Sequence, residues 1–238
     1  TDCYEGLEGL TITVNDGTIN INASDDGINA AGGTDSSGFG GFGHDAFSAD
    51  SDANIYINGG TITINADGDG IDSNGNLYVT GGVIYVSGPE SSADGALDYN
   101  GEATITGGTL IAAGASGMAE NFGSDSTQGS ILVSFTTQSA GTTISLLDES
   151  GSMLLSWQSD KTYSSVVISS PDIVVGNTYT IKAGDYETTV TMDSTIYGSG
   201  MGMGGFPGGG GFHDGGFSGN NSNNNGDNNN MGGQRPDR

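Results

Sequence analysis

Apolar and polar residues alternate in short bursts along the first half of the chain: Thr11-Ile12-Thr13-Val14, Thr18-Ile19-Asn20-Ile21, Ile55-Tyr56-Ile57, Thr61-Ile62-Thr63-Ile64, Leu77-Tyr78-Val79 and Val83-Ile84-Tyr85-Val86. A period of two marks a half-buried β-strand, because successive side chains leave opposite faces of a sheet. Glycine-rich bends join the bursts, and the whole unit recurs. Val14-Asn15-Asp16-Gly17-Thr18-Ile19-Asn20-Ile21 matches Ile57-Asn58-Gly59-Gly60-Thr61-Ile62-Thr63-Ile64, and again Val79–Val86 and Ile105–Ala112. The second bend glycine stands at Gly17, Gly60, Gly82 and Gly108, at spacings of 43, 22 and 26 residues. A period near 22 is too short for a propeller blade, and the leucine and asparagine signature of leucine-rich repeats is missing. The pattern predicts an all-β fold, a right-handed parallel β-helix, whose first spacing is one turn lengthened by an insertion over residues 33–52.

Strict alternation also predicts which residues stack inside. Ile12, Ile55, Leu77 and Ala103 form one column, and Val14, Ile57, Val79 and Ile105 a second. Ile19, Ile62, Ile84 and Leu110 form a third, and Ile28, Ile71, Leu97 and Ala119 close the core. The coils are thus expected to span residues 1–123. Beyond Gly123 the period is lost, and residues 131–137, 142–147, 153–158, 164–169, 178–183 and 186–192 read as Thr-, Ser- and Val-rich strands between Gly, Asp or Pro turns. Residues 124–197 are therefore expected to form an antiparallel β unit capping the coils, since an open coil end is an unpaired edge. Residues 198–238, rich in Gly, Met, Phe and then Asn, read as a flexible, disordered tail. The insertion carries Phe39, Phe42, His44 and Phe47, and reads as a surface loop or as a flap whose rings stack on a sugar.

Composition sharpens this picture. Of 238 residues 45 are Gly and only 33% are apolar, so apolar residues must be used economically, as repetitive folds use them. The 29 Asp and Glu outnumber 4 Lys and Arg, for a formal charge of −25. Nucleic acid, whose phosphates need basic contacts, is not an expected partner. No apolar run is long enough for a transmembrane helix. Cys3 is the only cysteine, so no internal disulfide forms. Thr1 opens directly on polar sequence with no signal-peptide pattern, and Tyr4–Gly9 reads as the end of a repeat that starts upstream.

The acids are not scattered. Aligning the third bend of each turn superposes Glu5-Gly6-Leu7-Glu8, Asp26-Gly27-Ile28-Asn29, Asp69-Gly70-Ile71-Asp72, Asp94-Gly95-Ala96-Leu97-Asp98 (one residue longer) and Gly117-Met118-Ala119-Glu120. This predicts an outer column of Glu8, Asn29, Asp72, Asp98 and Glu120, with a companion column of Glu5, Asp26, Asp69 and Asp94. Equivalent residues of stacked turns lie about 4.8 Å apart, where two carboxylates repel by about 1 kcal/mol in bulk water and about 3 to 4 kcal/mol at a surface-like dielectric. In-register carboxylates therefore need protons or a bridging cation. Calcium fits, since it takes about six to eight oxygens from carboxylates, amides and backbone carbonyls. Zinc does not, with His44, His213 and Cys3 all isolated. The alternative is a solvated acidic face in which Asp-Gly pairs serve only the bend.

Lyase chemistry of the kind β-helices support relies on an Arg or Lys base, and residues 1–130 contain none. A glycosidase needs two carboxylates, for instance Asp72 with Asp98, but a regular column looks more like a metal rail than an acid set beside a differently placed base.

The four corner strings Tyr4-Glu5-Gly6-Leu7-Glu8-Gly9, Ser24–Gly33, Asp69–Gly75 and Asp94–Gly101 resemble the bacterial carbohydrate-binding β-helix family known from clostridial cellulose- and acid-sugar-binding proteins. The resemblance covers residues 4–197. It implies a fold similar to pectate lyases, secretion to the cell surface or beyond, and polysaccharide binding without catalysis. It also implies calcium at Asp26, Asp69, Asp72, Asp94 and Asp98, with Glu8, Asn29 and Glu120 beside them. A structural alternative is end-to-end stacking of coils into a homo-oligomer or filament.

Overall fold

The computed structural model describes residues 2–31 and 52–198; the Phe-rich part of the insertion, His44, His213 and the tail expected beyond Gly198 lie outside them. The expected bursts all form strands. In chain order these are β1 (Asp2–Cys3), β2 (Leu7–Glu8), β3 (Thr11–Val14), β4 (Thr18–Ala23), β5 (Ile28–Ala30), β6 (Asn54–Ile57), β7 (Thr61–Ala66), β8 (Ile71–Ser73), β9 (Asn76–Val79), β10 (Val83–Ser87), β11 (Leu97–Tyr99), β12 (Ala103–Ile105) and β13 (Thr109–Gly114). Seven more follow: β14 (Ser130–Gln138), β15 (Thr143–Leu147), β16 (Met153–Gln158), β17 (Tyr163–Ser169), β18 (Thr178–Ala183), β19 (Tyr186–Thr191) and β20 (Ile196–Tyr197). The fold is all-β, with no helix among the described residues.

The strands form four sheets. Sheet 1 has the order β1-β4-β7-β10-β13-β17-β14-β20, sheet 2 β11-β8-β5-β2, sheet 3 β12-β9-β6-β3 and sheet 4 β16-β15-β18-β19. From β2 to β13 the chain visits sheets 2, 3 and 1 in that order four times. Every pairing among these strands is parallel. The expected columns are the observed registers: Ile12 pairs with Ile55 and Ile55 with Leu77, Val14 with Ile57, Ile19 with Ile62 and Ile62 with Ile84, Ile28 with Ile71 and Ile71 with Leu97. A further column, Ile21–Ile64–Val86–Ala112, fills the space between them. Ala119 belongs to the same core but not to a ladder. Each fully buried Ile or Leu contributes about 1.5–3 kcal/mol, and Ile55, Ile57, Ile62, Ile64 and Ile71 are all 0% exposed.

Glycine serves two purposes. Gly17, Gly60, Gly82 and Gly108 have φ between 87° and 107°, a left-handed conformation that a Cβ resists. Gly27 and Gly70 instead stand where the chain passes too close for a side chain: a Cβ on Gly70 would strike the Ala96 carbonyl and Val86.

Residues beyond the parallel run form the expected antiparallel strands. β17 pairs antiparallel with β13, and β14 with β17, so sheet 1 continues past β13; its final strand, β20, returns parallel to β14. The alternation of β13 divides two cores. Leu110 and Ala112 face the first core, while Ile111 and Ala113 join Val133, Ile144, Leu146, Val166, Ile168 and Ile181 in a second core under sheet 4. Apolar residues on both faces explain why β13 reads as Leu-Ile-Ala-Ala rather than as an alternating strand. A polar latch adds to this contact. Lys161 donates to the Ala66 carbonyl at 2.5 Å and to the Asp67 carboxylate, and Glu90 accepts from the backbone N–H and hydroxyl of Thr162 at 2.9 and 2.7 Å.

Candidate metal centre

The acid column is a consequence of sheet 2. Its strands are only two or three residues long, and each contributes one outward side chain at the same height. Glu8 pairs with Asn29, Asn29 with Asp72 and Asp72 with Asp98. Glu8 is exposed on the edge strand, whereas Asn29 is 5% exposed. Glu120 lies in no strand, yet it is 5% exposed and continues the column electrostatically, with Asp98 as its charged neighbour.

The companion column is built by the backbone. The N–H groups of Gly6, Gly27 and Gly70 donate to the carbonyls of Asp26, Asp69 and Gly95 on the next circuit. Glu5, Asp26, Asp69 and Gly95 are therefore equivalent positions. Side chains repeat the connection: Asp26 accepts the N–H of Asp69 at 2.7 Å, and Asp69 accepts the N–H of Gly95 at 2.5 Å. Asp94, expected in this column, stands one residue earlier instead. The extra residue of that corner is absorbed so that Gly95 takes the column position. Asp94 feels the charge of Asp25 and accepts a hydrogen bond from the Ser91 side chain.

Among the described residues one group of acids converges as metal ligands do. Single carboxylate oxygens of Asp26, Asp69 and Asp72 all lie within 4.8 Å of one another. Asn29 sits beside them, its amide nitrogen 3.3 Å from both Glu5 and Asp26, while its buried carbonyl oxygen accepts no hydrogen bond. The buried Oε2 of Glu120 likewise accepts none. A buried acceptor left unpaired costs about 1–3 kcal/mol.

Proton affinities follow from this crowding. Burial, then the negative charges of Asp72, Asp26 and Asp98, hold the Asp69 carboxyl well above the usual carboxylate range, against a lowering contribution from the Gly95 N–H. Asp72 is also raised, by burial and then by Asp26, Asp98, Glu5 and Glu120. Burial raises Asp98 despite a hydrogen bond from the Tyr99 N–H. Burial and Asp98 push Glu120 up to about 8. Every shift disfavours negative charge, so the cluster is one that a proton or a cation stabilises.

The donor set suits a hard cation. Two oxygens bound to one ion lie at most twice the metal–oxygen distance apart, about 4.6–5.2 Å for calcium and about 4.0–4.2 Å for magnesium. The triad's carboxylate oxygens, all within 4.8 Å of one another, lie inside the upper end of the calcium range. Cys3 donates toward the Asn22 carbonyl at 3.6 Å and is not part of the group. No helix of the described residues is long and apolar enough to cross a membrane.

The sequence did not single out a second feature, on sheet 3. Tyr56 and Tyr78 are register partners whose rings stack at 5.2 Å and 16°; the available signal was the match of Ile-Tyr-Ile to Leu-Tyr-Val 22 residues on. No family model matches the chain, and neither a curated protein nor a solved structure does.

Proposed function

We propose that the protein is a calcium-binding, non-catalytic polysaccharide-binding protein of the cell surface or extracellular space, its three parallel ladders closing into a right-handed parallel β-helix. Four passes through the same three sheets support that architecture, and parallel crossovers are almost always right-handed. The observation that carries the function is the convergence of Asp26, Asp69 and Asp72, with the Asn29 side-chain amide against Asp26 and its Oδ1 buried without a partner. These four residues would hold the ion, with Asp98 and Glu120 extending the acidic column; the ion supplies positive charge that neutralises the ladder and can coordinate a carboxylate from outside.

Binding rather than catalysis is supported by the uniformity of the acids. A glycosidase sets an acid and a base apart by giving them different environments. Asp72 and Asp98 are neighbours in one ladder, raised in the same direction by the same leading cause. A chain at −25 repels a polyuronate, so binding of an acidic sugar requires the cation as a bridge, in keeping with the resemblance to acid-sugar-binding β-helix proteins.

Polygalacturonate binding measured with calcium, with chelator and after calcium is restored tests this reading. Binding is expected only with calcium. Equal binding in chelator rules out the bridge, and no binding under any condition removes the acidic-sugar function.

A second reading, end-to-end assembly, is favoured by the edge where β2 and β3 border their sheets and β1 covers only the end of β4. There Leu7, Ile12 and Ile19 are only partly buried, while their ladder partners Ile28, Ile55 and Ile62 are fully so. A second copy would complete that burial. Negative-stain microscopy showing regular fibres supports it, and monodisperse particles at all concentrations exclude it.

A further inference from the structure

The outward face of sheet 3 has a chemistry unlike the rest of the chain. Its central column runs Thr13–Tyr56–Tyr78–Thr104 across four strands. On one side Asn76 donates to Asn54 at 2.9 Å, with the Glu102 N–H donating to Asn76 at 2.9 Å. On the other side Thr80 donates to Asn58 and Asn58 to Asn15, each at 2.9 Å. Two hydrogen-bonded ladders of amides and hydroxyls thus flank a pair of partly exposed aromatic rings. Although the chain has 29 acids, none lies on the four strands of sheet 3; Asp16, Asp52 and Glu102 stand just beyond the strand ends. The acidic column belongs to sheet 2, and sheet 3 displays none.

Ring faces, amides and hydroxyls held in rows are the complement of a chain of uncharged sugar rings. The apolar faces of such rings stack on aromatics, and their hydroxyls both donate and accept. The column steps down to the short side chains of Thr13 and Thr104 on either side of the tyrosine pair, which leaves room for a ring to continue the stack. Within the ladder Asn58 and Asn76 each spend one of two amide N–H groups, so each keeps hydrogen-bonding capacity. The lack of charge on the strands themselves argues for a neutral ligand: a polyuronate gains nothing here without a cation, and a basic partner would find the denser acids on sheet 2.

We propose that the outward face of sheet 3, centred on Tyr56 and Tyr78, is a binding site for uncharged polysaccharide, separate from the acidic column. The site rests on the polysaccharide-binding reading but not on its cation. Depletion of the full-length protein by microcrystalline cellulose, with and without chelator, tests it against polygalacturonate as the acidic probe. Affinity for cellulose is expected to be unchanged by chelator, to fall about tenfold for each of Tyr56→Ala and Tyr78→Ala, and to survive in Tyr56→Phe and Tyr78→Phe. Nitration of the wild-type tyrosines, read by peptide mass spectrometry, needs no variant to fold: soluble cello-oligosaccharide is expected to protect Tyr56 and Tyr78. Absence of cellulose binding, its loss on chelation, or unprotected Tyr56 and Tyr78 overturns the proposal. Calcium-dependent polygalacturonate binding that fails while cellulose binding persists removes the bridging model and leaves this site standing.

Discussion

The carboxylate of Asp26 accepts the backbone N–H of Asp69, 43 residues further along the chain, at 2.7 Å. Asp69 in turn accepts the N–H of Gly95, so these acids join successive circuits while facing one another as like charges. Removing the charge and removing the acceptor should therefore act in opposite directions. Asp69→Asn, which keeps an acceptor, is expected to raise the melting temperature of calcium-free protein and to abolish its rise with calcium. Asp69→Ala orphans the Gly95 N–H and is expected to cost about 1–3 kcal/mol in urea denaturation.

The same crowding makes stability depend on pH. Asp69, Asp72, Asp98 and Glu120 all have raised proton affinity in the folded state, Glu120 up to about 8. Between the ordinary carboxylate range, about 4, and pH 8, the folded chain holds protons that the unfolded chain has released, so stability falls as pH rises through this window. Calcium-free melting temperatures are expected to drop as pH rises from 5 through 8. Calcium should restore more stability at pH 8 than at pH 5, because at pH 5 it competes with protons.

Glu120 isolates one part of that profile. Glu120→Gln removes the buried charge next to Asp98 at nearly constant volume. The variant is expected to melt higher than wild type at pH 8.5 without calcium and equally at pH 5. A uniform loss at both values would assign Glu120 an ordinary packing role.

The Lys161 latch predicts a site of ordinary structural sensitivity. Its ammonium is mostly buried, with 14% side-chain exposure against 67% for Asp67. Lys161→Met should destabilise by about 1–3 kcal/mol through the unpaired Ala66 carbonyl. Asp67→Asn, at the exposed end, should cost under about 1 kcal/mol.

Much of this was legible in the sequence because stacking turns period into position. Once Ile12, Ile55 and Leu77 align, their ladder is fixed, and Gly60, Gly82 and Gly108 fall on the left-handed bends that demand glycine. The antiparallel strands were legible from alternation and turns alone. The limit was reached where a corner gains a residue. Asp94-Gly95-Ala96 can be threaded two ways, and the bonds from the Gly70 and Ile71 N–H groups to the Gly95 and Ala96 carbonyls choose between them. The Asn29 position was legible, but not that its side chain is buried between acids. The tyrosine pair was hidden because Tyr in a strand is unremarkable until the register sets two of them face to face.

Calorimetric titration of chelator-stripped protein with calcium, and in parallel with magnesium, decides whether Asp26, Asp69 and Asp72 take a cation. Saturable calcium binding is expected, with weaker magnesium binding and loss of the calcium isotherm in an Asp26→Asn, Asp72→Asn double variant that remains folded. No calcium binding, or binding unaffected by that double substitution, would contradict the calcium site.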